Sequence, residues 1–217
     1  MPPTRIATFF WPVVDGVLYA AQRNKVPYVG YWGAVGEKHV RTVTPRFSSS
    51  TQGPTHASTA RVLEEFCVEP VISAGKRGVA EELFVGRNIS ESDFSGAYEF
   101  GYVDDGSWRL MQVIGTVHRD DFFLDRREVS GVAPVYTIPD GSFFPTAQIA
   151  LYGLRLQLAQ AGTLLHARYA GLTSQISGSF LSAANRIGVS TNLFCSDIAS
   201  RPVLPETNTP RQYDVEE

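Results

Sequence analysis

The order of β-prone and helix-prone segments limits this chain's fold more than any other feature. RIATFFW (5–11), VVDGVLYAAQR (13–23) and KVPYVGYW (25–32) are rich in β-branched and aromatic residues and predict strands. A polar cluster, SSSTQGPT, then breaks regular structure. A short helix is expected from Thr55 or Ser58 to about Phe66, ended by Glu69-Pro70, because the residue before a proline avoids helical backbone. GVAEELFVG (78–86), AYEFGYV (97–103), RLMQVIGTVH (109–118) and REVSGVAPVYTIP (127–139) return to strand, with DDGSW as the hairpin turn between the middle two. Residues 145–172 carry Ile149, Leu151, Leu154, Leu158 and Leu165 at helical spacing, and Pro145 suits a first helical turn. A shorter helix is expected around 176–187, and SRPVLPETNTPRQYDVEE has the composition of an extended arm. This order fits neither βαβ alternation nor an all-β spacing. It predicts an α+β fold, a mixed sheet between helices, over residues 1–172, with a C-terminal helical and extended extension over 173–217.

Length and charge bound the functional classes. A chain of 217 residues buries a core without staples. A net charge of -3 argues against bulk nucleic-acid binding through phosphates. Cys67 and Cys195 form no disulfide framework and no CxxC metal knuckle, so the expected compartment is reducing and intracellular, cytoplasmic by default. No apolar run reaches membrane-span length, and MPPTRIATFFWPVV lacks a cleavable signal pattern, so no membrane association is expected. Asn88-Ile89-Ser90 matches a glycosylation acceptor and is read as chance in that compartment.

The chemistry-bearing stretch is HASTARVLEEFCVEP (56–70), with Glu64 and Glu65 side by side. On a helix, positions i, i+3 and i+4 share a face. Carboxylates so placed gather magnesium with waters and a substrate phosphate, and the ion then neutralises pyrophosphate charge and activates water. The plain alternative is a solvated helix face on which Arg61 pairs with Glu64 or Glu65.

The stretch resembles the box of the Nudix superfamily, R-E-U-x-E-E-x-G-U, where U is bulky and aliphatic. Aligned without gaps on Ala60–Val68, it matches at Val62, Glu64, Glu65 and Val68, and the degenerate box spans 57–68. GYWGAVGEKH looks like the glycine-rich loop that precedes such a helix, VVDGVLYAAQR like the early strand, and REVSGVAPVYTIPDGSFFP like the late strand and loop. The resemblance covers roughly residues 5 to 170 and implies a mixed sheet sandwiched between helices. Ala60 stands at the family's arginine, Arg61 at its first helix glutamate, Gln52 at its loop glutamate and Cys67 at its helix-ending glycine. Arg61 cannot ligate a cation, so a metal site needs replacement ligands. Glu37, Glu81, Glu82, Glu99 and Glu128 are the candidates. Glu128 matches the late-strand glutamate best, and Glu37 is a displaced loop glutamate.

Other motifs carry less. His118-Arg119-Asp120-Asp121 stands alone without the rest of a kinase signature. His39, His56, His118 and His166 show no metal-ligand spacing. Tyr28, Tyr31 and Trp32 have the chemistry to stack on a base, but core packing is the better account of them.

The resemblance implies two main functions. One is a hydrolase of a nucleoside diphosphate linked to another moiety, using Mg2+ or Mn2+. Glu64, Glu65 and Glu37 would hold the metal, and Glu65 and Glu128 would serve catalysis. The other is a catalytically inactive module that binds RNA or a nucleotide, or serves as a structural subunit of an assembly. A protein partner or a second copy would then be engaged through the C-terminal extension.

Overall fold

The computed structural model describes residues 5–39, 47, 69–105 and 108–161. Glu64 and Glu65, with Ala60, Arg61, Cys67 and the rest of 57–68, lie outside the described residues, as does the extension 173–217. Strand β1 (Arg5–Val14) is buried at every position after Arg5, as its nearly unbroken apolar run requires. Asp15-Gly16, both with positive φ (50° and 78°), turns the chain into β2 (Val17–Arg23). The expected strand 13–23 is therefore two strands of a hairpin, divided at the Asp-Gly signal.

The stretch 25–32 is not an extended strand. Arg23 N–H donates to Tyr31 O (2.8 Å) and Gly30 N–H to Arg23 O (2.7 Å), closing a loop in which Gly30 takes φ 83°. Only Trp32–Gly33 forms strand, as β3, followed by β4 (Val35–Lys38).

The second correction concerns 78–86. Helix α1 runs Val71–Leu83, so GVAEEL is helical rather than extended. Ile72, Val79 and Leu83 recur at helical spacing on its buried face. Val79, Phe84 and Val85 are β-prone, but Ala80, Glu81, Glu82 and Leu83 between them are strong helix formers. Pro70 stands at the start of this helix, where a missing N–H costs nothing, and the helix expected before it lies outside the described residues.

Strands β5 (Phe94–Asp105) and β6 (Trp108–Val117) pair antiparallel from Phe94↔Val117 to Asp105↔Trp108, as the hairpin expectation required. β7 spans Val129–Pro134, and helix α2 spans Pro145–Ala161.

The sheet runs β3-β2-β1-β6-β5, with β4 on β1 and β7 on β2. β1 pairs parallel with β6 along its length. Its other edge is shared between β4 (Ala7–Phe10) and β2 (Val13–Val14). Alternate residues of β1 face opposite layers. A Cβ at Gly75 of α1 would meet Phe10 (2.7 Å) and Thr8 (3.0 Å), whereas Phe9 packs edge-on against Phe144, just before α2 (centroids 6.2 Å apart). The mixed sheet thus lies between two helices, as expected. No helix among the described residues is long and apolar enough to cross a membrane.

Candidate functional site

One cleft, of about 830 Å³, opens where the C-terminal half of α1 meets β4, the end of β2 and the segment before β7. Glu37, Glu81, Glu82, Asp125 and Glu128 line it, together with Arg23, Lys25, Lys38, Arg87 and Arg127. Four of the five replacement carboxylates expected from the sequence are thus brought together. Glu99, the fifth, is buried on β5 and is not part of the lining.

The cleft is organised by Arg77. Its Nε and Nη2 donate to both oxygens of Glu69 (3.0 and 2.9 Å to Oε2, 3.3 Å to Oε1), a fork on a carboxylate that is 1% exposed. Ser73 Oγ–H also donates to Glu69 Oε1 (3.2 Å). Arg77 Nη2 donates to Lys38 O (2.8 Å), tying α1 to β4. Nη1 lies 3.3 Å from both Glu37 Oε1 and Glu81 Oε2. Burial opposes the Arg77 charge, but the Glu69 hydrogen bonds and the Glu37, Glu69 and Glu81 charges outweigh it and raise the pKa.

The remaining carboxylates differ in how they are balanced. Arg127 donates to Asp125 through its side chain and its backbone N–H, holding that pKa down at about 2. Glu128 pairs with Lys25 at 3.1 Å. Burial raises the Glu37 pKa, Arg77 lowers it, and Glu81 raises it again. Glu82 is pushed well above the ordinary carboxylate range, first by burial, then by the Glu37 and Glu128 charges. No hydrogen bond or ion pair to its side chain occurs among the described residues. Arg23 offsets only part of this repulsion.

His39 sets the approach of β4 to α1. Its Nδ1 is 2.6 Å from Glu69 O, an acceptor only, so the neutral ring carries its proton there. Nε2 lies 2.7 Å from Thr8 Oγ1, whose single hydroxyl proton it shares with Val71 O at 3.1 Å. Burial lowers the His39 pKa to about 4, which keeps this tautomer across the neutral range.

Hard carboxylate oxygens are the donors that Mg2+ and Mn2+ prefer, and Glu37, Glu81, Glu82 and Glu128 bring four such side chains to one cleft. Among the described residues no three ligands already converge on one point. Holding an ion requires Glu37 and Glu81 to turn from Arg77. Gly78 occupies the helix turn between Arg77 and Glu81 and adds no carboxylate.

The nine-position pattern placed on Ala60–Val68 also fits Arg77–Val85, with Arg77, Val79, Glu81, Glu82 and Val85 matching. Gly78 and Phe84 depart from it. Glu69 stands eight residues before Arg77, the offset at which the first alignment placed Gln52. That spacing, with an arginine in first position, was the sequence signal for this second site.

Similar solved structures include a MutT Nudix hydrolase from Burkholderia pseudomallei, at 18% identity over 70% of this chain and 98% of that one, TM-score 0.46. The Nudix domain of Shewanella oneidensis NrtR, solved with ADP-ribose, matches at 16% identity over 73% and 90%, TM-score 0.43. A Nudix hydrolase from Nitrosomonas europaea matches at 13% identity over 66% of this chain and 64% of its own length, just under two thirds, TM-score 0.40. No family model and no curated protein matches the chain. At such identities and scores the likeness carries no chemistry, and the functional reading rests on the cleft itself.

Proposed function

We propose that the chain is a Nudix-type hydrolase that splits the phosphoanhydride of a nucleoside diphosphate linked to another moiety, with Mg2+ or Mn2+ as cofactor. In this reading the box begins at Arg77, and Glu81 and Glu82 take the roles that the first alignment gave to Glu64 and Glu65. The observation that carries it is the gathering of Glu37, Glu81, Glu82 and Glu128 in one cleft, beside an Arg77 anchored on Glu69.

Glu81, Glu82 and Glu37 would hold the ion, which when bound offsets pyrophosphate charge and makes a water more acidic. Arg77, anchored on Glu69, fixes α1 against β4, the two elements that carry these carboxylates. Arg23, Arg87 and Arg127 line the cleft as cations for the substrate's phosphates. Lys25 orients Glu128, which accepts a proton from the attacking water. The water oxygen bonds to phosphorus, the bridging P–O bond breaks, and the departing phosphate takes the electron pair.

A second reading, a non-catalytic nucleotide- or RNA-binding module or assembly subunit, is favoured by Arg77 Nη1 standing between Glu37 and Glu81 and by the glycine at position 78. Incubation of the full chain with dinucleoside polyphosphates, nucleotide sugars and ADP-ribose, followed by 31P NMR, separates the two. The hydrolase reading expects monophosphate products with Mg2+ or Mn2+ and none with chelator. Tight binding of these compounds without cleavage favours the second.

A further inference from the structure

The resemblance puts a first metal-binding glutamate at the second position of the box, and in the Arg77–Val85 alignment that position is Gly78. The space its side chain would start from is already filled. A Cβ built on Gly78 stands 2.8 Å from Glu37 Cβ, 3.4 Å from Glu37 Cγ and 3.4 Å from Val35 Cγ1. A separation of 2.8 Å between such carbons is well inside van der Waals contact. Helix and strand therefore close on each other through this glycine, and Glu37 enters the same space from β4.

Its carboxylate lands beside the helix pair. Glu37 Oε1 and Glu81 Oε2 each lie 3.3 Å from Arg77 Nη1, so they are separated by no more than twice that distance. Glu37 and Glu82 line the same cleft. Resting on the hydrolase reading above, we propose that Glu37 supplies from β4 the carboxylate that Gly78 removes from α1, completing with Glu81 and Glu82 a divalent-cation site built across strand and helix. Arg77 Nη1 is the internal cation that holds Glu37 and Glu81 together while the site is metal-free. Its Nε and Nη2 stay on Glu69, so the exchange requires only the two carboxylates to turn. Gly78 and Glu37 form one unit: a side chain at 78 and a Cβ at 37 exclude each other.

The test is Mn2+ binding to the full chain, read by electron paramagnetic resonance of the free ion and by calorimetry. Glu37→Gln, which preserves shape, should weaken binding on the order of 10–100-fold. The exchange variant Gly78→Glu with Glu37→Gly returns a carboxylate to the helix and deletes the Cβ it would strike; it should bind better than Glu37→Gln. Wild-type affinity in Glu37→Gln overturns the proposal. If Glu81→Gln and Glu82→Gln then still lose binding, the hydrolase reading survives. A wild-type chain that binds no Mn2+, or a Glu81→Gln Glu82→Gln chain that binds it normally, overturns both. A folded exchange variant that binds no better than Glu37→Gln also overturns the proposal, and circular dichroism establishes that it is folded.

Discussion

Replacing Arg77 with Met leaves Glu69 as a buried carboxylate without its cation. Glu69 is 1% exposed, and among the described residues three of its four side-chain hydrogen bonds come from Arg77. Removing one partner of such a buried pair costs about 3–5 kcal/mol, because the remaining charge stays desolvated and unpaired. For a domain of this size that lowers Tm by roughly 6–20 °C. Arg77→Met also releases Lys38 O and frees Glu37 and Glu81, so the loss belongs in the upper part of that range. Pairing the change with Glu69→Gln removes the stranded charge, and the double variant should be more stable than Arg77→Met alone. Urea unfolding monitored by tryptophan fluorescence measures all three proteins. A loss under about 1 kcal/mol in Arg77→Met, of the size seen for exposed pairs, would refute the reasoning. So would a double variant less stable than the single one.

Three further outcomes follow from the same packing. Gly78→Ala gains helix propensity but drives a Cβ to 2.8 Å from Glu37; overpacking of about 1–3 kcal/mol should win, and a chemical melt showing net stabilisation would contradict it. His39 is held neutral to about pH 4, so the unfolded chain takes up a proton below pH 6.5 that the folded chain refuses. Its contribution is intact above 6.5 and is lost as pH falls to 4, up to about 3 kcal/mol; an NMR midpoint for His39 near 6.5 would contradict this. Glu82 has the opposite sign, since its raised pKa lets the folded chain keep a proton the unfolded chain releases, and stability falls as pH rises through the carboxylate range. Glu82→Gln should therefore be more stable than wild type at pH 7 in chelator and equal to it at pH 3, and equal stability at pH 7 would argue against the raised pKa.

The strands were legible in the sequence where composition and pattern agree, as in RIATFFW and the β5–β6 hairpin. The Asp15-Gly16 pair is a legible turn signal, but the apolar residues Val13, Val14, Val17 and Leu18 on both sides of it make the two strands read as one run. Helix α1 was hidden for a different reason. Its glycines, Gly75 and Gly78, lower helix propensity, yet they are what lets α1 approach β1 and β4 closely. The chain contains two adjacent glutamate pairs with a valine three residues beyond, Leu-Glu-Glu-Phe and Ala-Glu-Glu-Leu, and local pattern alone does not rank them. What ranks them is a contact across eight residues, the Glu69–Arg77 fork, which local periodicity does not report. Glu37 and Glu128 were named from their strands, and β4 and the turn before β7 do bring them to the cleft.

Turnover in Glu82→Gln and Glu65→Gln, compared side by side with wild type on the same phosphoanhydride substrate in Mn2+, tests most directly which pair does the chemistry. The α1 cleft predicts that Glu82→Gln loses two or more orders of magnitude, roughly the scale of one essential charged group, while Glu65→Gln stays near wild type. Loss in Glu65→Gln with activity kept in Glu82→Gln would contradict the account and move the site to residues 57–68.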